Sequence, residues 1–367
     1  MIASILVLLV LIVPAFASCS GTSSSNTFIE LLNLVPADMF SGEARPFLSL
    51  IDYASLYKDT GITFTTGKEL IENTQNDKFS YSVLGFGSYI TGHGKYTITS
   101  TILDKYVGYD VTNIDAEIQF GVPPVNGVAA IGRFNPQDTS NALSNRDEWP
   151  SWAVTAYTAE EYHGVTIHSW GDGLKINLQT PLTPPHVDEL GRGRPLAVTE
   201  KNLFYAGNVK IVKLMIDASE KKSPRIADLP EYASIANALV DLKVYCSIVA
   251  SEYWVYVLPE YSTDDTGPRL KKFLTFSSGL GRDEKGTYTA IVIYHKDTAH
   301  ARANVSLLKQ RIENSSSIYY KVPWSEKITD SEIKSEGNIL LAKLYSTETN
   351  LWATWCYSQD NLLLHED

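Results

Sequence analysis

In the stretch Ala129-Ala-Ile-Gly-Arg-Phe134, followed by Asn135-Pro-Gln-Asp138, an apolar run gives way to a helix start. A short apolar run with a turn signal after it predicts a buried strand. Asn135 has a side chain suited to an N-cap, and Pro136 suits the first helical position, where a backbone N–H would have no partner anyway. The stretch therefore predicts a strand that leads directly into a capped helix.

A similar junction occurs about 160 residues later, at Ala290-Ile-Val-Ile-Tyr-His295, with Asp297 as the N-cap of the next helix. A second pair of similar segments, Val198–Tyr205 and Tyr357–Leu364, has nearly the same offset, and each reads as a polar turn followed by an apolar strand. A constant offset is typical of a duplicated unit. Chance similarity between strand–helix junctions is the alternative.

These patterns predict the α+β class, with two related units of mixed, mostly antiparallel sheet and flanking helices, and an internal duplication. A helix pattern over Pro230–Val240 places the boundary near Asp241, which gives units at 28–240 and 241–367. The content of Gly, Tyr, Thr, Ile and Val from Lys78 to Phe120 predicts strands and turns.

The N-terminal segment predicts export. Ile2–Phe16 is almost wholly apolar, but it is shorter than the roughly 20 residues that a transmembrane helix needs. Small residues follow at Ala17-Ser18-Cys19, and then a polar tract, Ser20–Thr27. This order is typical of a signal peptide, and an uncleaved anchor is an alternative.

Phe16-Ala-Ser-Cys19 resembles the lipobox of bacterial lipoproteins. The resemblance implies cleavage after residue 18, a lipid on Cys19 and a tether over 19–27; a secretory signal cut near Ala17 stays open. Stretches of the body, including Phe47–Tyr53 and Gly191–Leu196, resemble a family of uncharacterised bacterial extracytoplasmic lipoproteins. That resemblance implies export and a position on the outer face of the membrane or in the periplasm, and it implies no activity.

The net charge and the cysteine count restrict the classes of binding partner and of covalent cross-link. The formal net charge is −11, which argues against nucleic acid and against charge-driven binding to anionic lipid. If Cys19 carries lipid, Cys246 and Cys356 remain. An exported chain can pair two such cysteines, here between strand-like runs at Val244–Val249 and Leu351–Tyr357; two buried free thiols are the alternative.

None of the candidate motifs for catalysis or metal binding has the residue order or spacing that such a site requires. His163 and His168 lie an odd number of residues apart on a predicted strand, so their side chains point to opposite faces, and we predict no metal and no cofactor. The acidic doublets Glu160-Glu161 and Asp264-Asp265 are interpreted as solvated loop charge. Ser277-Ser-Gly-Leu-Gly281 has the wrong order for a nucleophile elbow and is interpreted as a hairpin loop.

Aromatic residues are the remaining candidates for a binding surface. Trp149-Pro-Ser-Trp152 is loop-like, so Trp149 and Trp152 are the candidate ligand-facing pair, while strand aromatics such as Trp352 and Trp355 are expected in the core. The sequence thus favours a membrane-anchored exported protein that binds or scaffolds a protein or polymer ligand. A secreted hydrolase with residues distant in sequence is the alternative.

Overall fold

The computed structural model describes residues 26–40, 47–84, 107–122, 125–145, 157–170, 194–255, 267–358 and 360–366. Three site residues predicted from the sequence, Cys19, Trp149 and Trp152, lie outside these ranges, as does Asp264-Asp265. Within the described ranges, every helix is too short or too polar to span a bilayer.

The described residues form helices and strands in an α+β arrangement. The helices are α1 (Thr27–Leu32), α2 (Tyr53–Thr60), α3 (Gly67–Gln75), α4 (Lys78–Leu84), α5 (Pro136–Ser144), α6 (Val209–Ser219), α7 (Pro230–Asp241), α8 (Thr298–Asn314), α9 (Trp324–Lys327) and α10 (Leu351–Tyr357). The strands are β1 (Phe47–Asp52), β2 (Ile114–Val122), β3 (Val125–Gly132), β4 (Tyr157–Tyr162), β5 (Val165–Trp170), β6 (Leu196–Val198), β7 (Asn202–Ala206), β8 (Val244–Ser251), β9 (Thr275–Asp283), β10 (Gly286–Tyr294), β11 (Asp330–Glu336) and β12 (Ile339–Tyr345).

All of these strands belong to one sheet, in the order β11-β12-β10-β9-β8-β1-β2-β3-β7-β6-β5-β4. Every neighbouring pair is antiparallel, so the described sheet has none of the parallel pairing that a mixed sheet would contain. The two ends of the sheet are β11 and β4.

The two sequence halves meet at the centre of this sheet. Leu50 of β1 pairs with Ile118 of β2 on one side and with Ser247 of β8 on the other. A strand from the first half therefore shares its backbone hydrogen bonds with a strand from the second half.

The two halves run outward from this centre in a similar order. The meander β1-β2-β3 and the meander β8-β9-β10 each lead into a helix, α5 or α8, after which a later strand, β7 or β12, returns to pair with the third strand. The first pair of similar segments falls on β3 and β10. An internal duplication stays a prediction.

Buried side chains form one cluster on one face of the sheet and two clusters on the other. The first face is covered by α1, α6 and α7, whose buried residues include Phe28, Met215 and Ile235. The opposite face carries a cluster around Ile51 and another around Ile293.

The helix starts predicted at Asn135 and Asp297 are confirmed. Asn135 accepts a hydrogen bond from the backbone N–H of Gln137 at 3.0 Å, with Pro136 as the first helical residue. Asp297 accepts from the N–H of His300 at 2.9 Å and begins α8. Gly61 ends α2 with a φ of 69°, a conformation that favours glycine.

Several secondary-structure predictions were wrong. Leu351–Tyr357 is the helix α10 and not a strand, because Trp352 and Trp355, three residues apart, both bury against the sheet. Lys78–Leu84 is the helix α4, which buries Phe79 and Val83 one turn apart. The apolar strand predicted at the end of Tyr357–Leu364 is a short 3-10 turn at Asn361–Leu363, so the similarity of this segment to Val198–Tyr205 does not extend to structure.

Candidate functional site

A surface groove of about 580 Å³ lies between the C-terminal end of α7 and the strands β11 and β12. Leu242 and Leu341 supply apolar surface, and each is largely buried. Glu332, Lys334 and Lys343 supply charge along the strands. We call this feature the α7–β11 groove; it has an apolar floor and a charged margin.

The charged margin is held by ion pairs at one end of the groove. Lys343 pairs with Asp283 of β9 at 2.5 Å, and the Tyr345 hydroxyl donates to the same carboxylate at 3.0 Å. Partial burial tends to raise the pKa of Asp283, but these two hydrogen bonds outweigh it and the pKa falls below its usual value. Lys285 in the β9–β10 turn pairs with Glu332 at 2.6 Å.

Aromatic rings lie beneath these ammonium groups. Lys343 lies 4.6 Å from the centre of the Tyr288 ring, and Lys285 lies 5.1 Å from that of Tyr345. The Tyr288 hydroxyl donates to the carbonyl of Leu242, which ties the end of α7 to β10. Burial raises the pKa of Tyr288, so the phenol stays neutral and can act as this donor.

The sequence contained one signal for this groove. In β11, Asp330, Glu332, Lys334 and Glu336 alternate with less polar residues, and all four are exposed. A charged row at every second position predicts a solvated strand face. The position of this strand face beside α7 depends on the order of the strands in the sheet, which cannot be derived from the pattern of one segment.

Two histidines are buried on other parts of the sheet. The His295 ring accepts from the Asn304 amide at 2.8 Å through Nε2 and contacts the carbonyl of Asn338 at 3.2 Å through Nδ1. His168 contacts the Tyr157 hydroxyl at 2.8 Å. Burial lowers the pKa of both His295 and His168 to about 4, so both are neutral at pH 7.

The structure separates His163 from His168, because His163 lies in the β4–β5 turn with a φ of 52° and His168 lies within β5. The Nδ1 of His163 lies 3.1 Å from the carboxylate of Glu220. Among the described residues, no group of three or more His, Cys, Asp or Glu side chains is arranged to hold a metal ion.

The doublet Glu160-Glu161 is strand and not loop, because it lies within β4 and pairs with β5. Alternation separates the two carboxylates: Glu160 pairs with Lys213 at 2.9 Å, and Glu161 accepts from Thr166. Both remain exposed, so the prediction of solvated charge holds for this doublet.

Ser277-Ser-Gly-Leu-Gly281 was wrongly interpreted as a loop. It is the buried interior of β9, where small residues allow close packing. Ser278 donates to the carbonyl of Trp352 at 2.6 Å and accepts from the Trp355 indole at 3.0 Å. Its hydroxyl therefore anchors α10 on the sheet.

Cys246 on β8 and Cys356 on α10 are free thiols in the structure, the first buried and the second half-buried. Burial raises the pKa of Cys356 to about 12 and raises that of Cys246 further. Both thiols thus stay protonated at pH 7, a form that is a poor nucleophile and metal ligand. A disulfide between the two cysteines would join the strand β8 to the helix α10, and not two strands. The pairing of these cysteines stays a prediction.

A buried carboxylate lies on the sheet face opposite α7. Glu117 of β2 is 1% exposed and accepts from the Tyr53 hydroxyl at 3.3 Å. Burial, with smaller contributions from Tyr205 and Glu117, raises the pKa of Tyr109. This cluster is polar but enclosed, and we assign it to the core.

Comparison with known proteins gives a distant structural likeness. No protein-family model and no curated protein sequence matches the chain. Crystal form I of TP0453, a membrane-associated protein of Treponema pallidum, matches with a TM-score of 0.39 and 9% identity, over 90% of this chain and 97% of that chain. Crystal form III of the same protein matches with a TM-score of 0.37 and 9% identity, over 88% of this chain and 98% of that chain. Crystal form IV matches with a TM-score of 0.36 and 8% identity, over 87% of this chain and 95% of that chain.

Proposed function

We propose that the chain is an exported, lipid-anchored protein that acts by binding or scaffolding. The observation that carries the anchor is the order of Ile2–Phe16, Ala17-Ser18-Cys19 and the polar tract Ser20–Thr27. Acyl chains on Cys19 hold the protein at a membrane, since each buried CH₂ contributes about 0.8 kcal/mol.

The folded body supports a binding role. Its buried histidines and its two thiols are neutral at pH 7, which suits a stable scaffold. Its groove combines an apolar floor with charges that are fixed by ion pairs, which suits recognition of another surface. The partner is a protein or polymer outside the cytoplasm.

The anchor is tested by labelling cells that express the full chain with an alkyne-bearing fatty acid. We expect the label on the wild-type chain and on Cys356→Ala, with both in the membrane fraction. Cys19→Ala should lose the label and leave the membrane fraction, because it lacks the thiol that carries the lipid. A Cys19→Ala chain that stays labelled, or that stays membrane-bound, contradicts the proposal.

A further inference from the structure

β11 is the last strand at one end of the described sheet, so one side of its backbone has no neighbouring strand there. Glu336 and Ile339 close the β11–β12 hairpin over a two-residue turn. The closing pair of such a hairpin exchanges its backbone hydrogen bonds, and bonded pairs alternate along the ladder from that point. Ser331, Ile333 and Ser335 therefore direct their N–H and C=O groups away from β12.

The backbone groups on this outer side are available to another chain. The N–H of Ser331 donates to the carboxylate of its neighbour Asp330 at 2.8 Å, which agrees with its outward direction. Among the described residues, the backbone hydrogen bonds outside helices and strands include none to Ile333 or Ser335. An edge of unpaired N–H and C=O groups is a template for a further strand.

The α7–β11 groove lies along this edge. Its lining includes Ser331 and Ile333 of β11, and it has a wall on each face of the sheet. Asp241 and Leu242, at the end of α7, lie on one face, and Lys309 of α8 comes from the other. An extended chain in the groove would thus continue the sheet between two walls.

Most charges of the groove are already paired, and two are not. Three ion pairs involve lining residues of the strands: Lys343–Asp283, Glu332–Lys285 and Lys334–Glu336. Asp241 and Lys309 are both exposed, and neither forms an ion pair within the described ranges. The two remaining charges therefore have opposite signs and lie on opposite faces of the sheet.

This arrangement of charges fits an extended peptide. Successive side chains of a strand point to opposite faces, so adjacent residues can present a cation to Asp241 and an anion to Lys309. A helix satisfies its own backbone groups and would leave the edge of β11 unpaired. A second copy of β11 has its charges on one face, and its other face carries serine and isoleucine, which offer no carboxylate to Lys309.

We propose that the outer edge of β11 binds an extended segment of a partner protein as an additional strand. Backbone hydrogen bonds to Ile333 and Ser335 supply affinity, and a basic residue beside an acidic residue selects the segment. This inference rests on the proposed binding role and assigns it a surface and a class of partner. Fatty-acid labelling at Cys19 reports the anchor alone, so a failure of either proposal can be recognised separately.

The test uses a synthetic peptide with the sequence Val-Lys-Glu-Thr-Val-Lys-Glu, which in extended form has lysine on one face and glutamate on the other. A dye-labelled version is titrated with the full chain in detergent, with empty micelles as the blank. The control peptide carries N-methyl groups at its third and fourth residues. Successive N–H groups of a strand point to opposite edges, so this change blocks both edges. Carbon-13 at the peptide carbonyls reports the bound conformation by infrared spectroscopy.

We expect saturable binding of the probe with a Kd between about 0.1 and 1 mM, a carbonyl band typical of β-sheet, and no binding of the N-methylated control. Ser335→Pro should also abolish binding, because it removes an outward N–H at a position where an edge strand tolerates proline. Circular dichroism of this variant checks that the chain stays folded.

The charges are tested by reversing them one at a time. Lys309→Glu and Asp241→Lys should each weaken binding about 3-fold, because each brings like charges together at exposed positions. Lys201→Glu and Glu200→Lys make the same changes in net charge in the exposed β6–β7 turn and should leave binding unaltered.

Several results would overturn the proposal. Binding that stays at the blank with about 1 mM probe, or equal binding of the N-methylated control, would exclude strand addition. A carbonyl band typical of a helix, or equal effects of Lys309→Glu and Lys201→Glu, would contradict the mode of binding. Sedimentation of the full chain as a dimer that Ser335→Pro converts to a monomer would make a second copy the occupant of the edge.

Discussion

His295 connects three parts of the second half through one neutral ring. Its Nε2 accepts from Asn304 of α8, and the same Asn304 side chain accepts from the backbone N–H of Lys271 at 2.6 Å. Asn338, in the β11–β12 turn, donates to the His295 carbonyl at 3.1 Å. A proton on Nε2 would remove the acceptor that Asn304 uses, so the arrangement requires neutral imidazole.

The free energy of unfolding should therefore depend on pH between about 6.5 and 4. In this range the unfolded histidines bind protons, while folded His295 and His168, with pKa values of about 4, do not. Stability is thus full above pH 6.5 and falls as the pH falls towards 4, by at most about 3 kcal/mol per histidine. Urea unfolding at pH 7, 6, 5 and 4 measures the slope. His295→Gln with His168→Gln should flatten it, and an unchanged slope would contradict the assignment.

Arg311 holds the C-terminal segment against α8. Its guanidinium donates to the carbonyls of Pro268 at 2.8 Å, Asn361 at 2.5 Å and Leu362 at 3.1 Å. Because the side chain is fully buried, loss of these donors would remove a hydrogen bond from each of three carbonyls in a place that water does not reach easily.

We expect Arg311→Ala to lower the free energy of unfolding by about 3 kcal/mol or more, and Arg311→Lys to recover only part, since one ammonium lacks the geometry of the guanidinium fork. Urea unfolding and the rate of carboxypeptidase release from residues 360–366 are the measurements. Lys309→Ala, exposed on the same helix, is the control. Equal stability of Arg311→Ala and the control would show that these hydrogen bonds matter little.

At the scale of elements, β8 and β9 approach closely because β9 carries glycine. A Cβ on Gly279 would lie 2.6 Å from the carbonyl oxygen of Cys246 and 2.7 Å from a methyl group of Val244. The first contact is with backbone, which can yield only if the strands separate. This is the physical reason for a Ser- and Gly-rich sequence in a central strand, where it resembles a loop.

Gly279→Ala should therefore lower the free energy of unfolding by roughly 2 kcal/mol or more through overpacking. The midpoint of urea unfolding is the measurement. Gly337, which has a φ of 57° and open space where a Cβ would lie, provides the comparison: Gly337→Asn should cost far less, because asparagine tolerates this conformation. A mild effect of Gly279→Ala would mean that β8 and β9 can separate without cost.

The N-cap of α8 makes a separate prediction for a helix end. Asp297→Ala removes the acceptor for the N–H of His300 and should cost about 1 kcal/mol. Thr298→Ala, at the exposed first position of the helix, is the control. Thermal unfolding followed by circular dichroism compares the two variants, and an equal shift in Tm would argue against a capping role.

At the scale of the molecule, the central pairing of β1 with β8 makes the two sequence halves dependent on each other. β1 also pairs with β2, and α7, which ends at this boundary, packs on β8, β9 and β10 of the second half. Division of the chain between residues 240 and 241 would expose an edge of β1, an edge of β8 and the face of α7 that packs on the second half.

We expect both halves to unfold in one transition, because each completes the core of the other. Hydrogen exchange measured by mass spectrometry during urea unfolding should give the same midpoint for β3 and β10. Two separated midpoints would contradict this expectation and would favour independent units at 28–240 and 241–367.

Local chemistry determined much of this protein without its tertiary structure. Asn135, Asp297 and Gly61 mark helix ends because capping depends on a few neighbouring residues. The apolar runs at β3 and β10 predicted strands for the same reason. The sequence also supplied the predicted export signal, since such a signal is a linear pattern.

The tertiary structure decided what depends on contacts between distant residues. Leu351–Tyr357 is helical because its tryptophans bury together on the sheet, and Ser277–Gly281 is a strand because its neighbours β8 and β10 need small residues there. The α7–β11 groove exists because β12 and β11 extend the sheet past α7. Such contacts join residues far apart in the chain, and periodicity in one segment carries no information about which segment lies beside it.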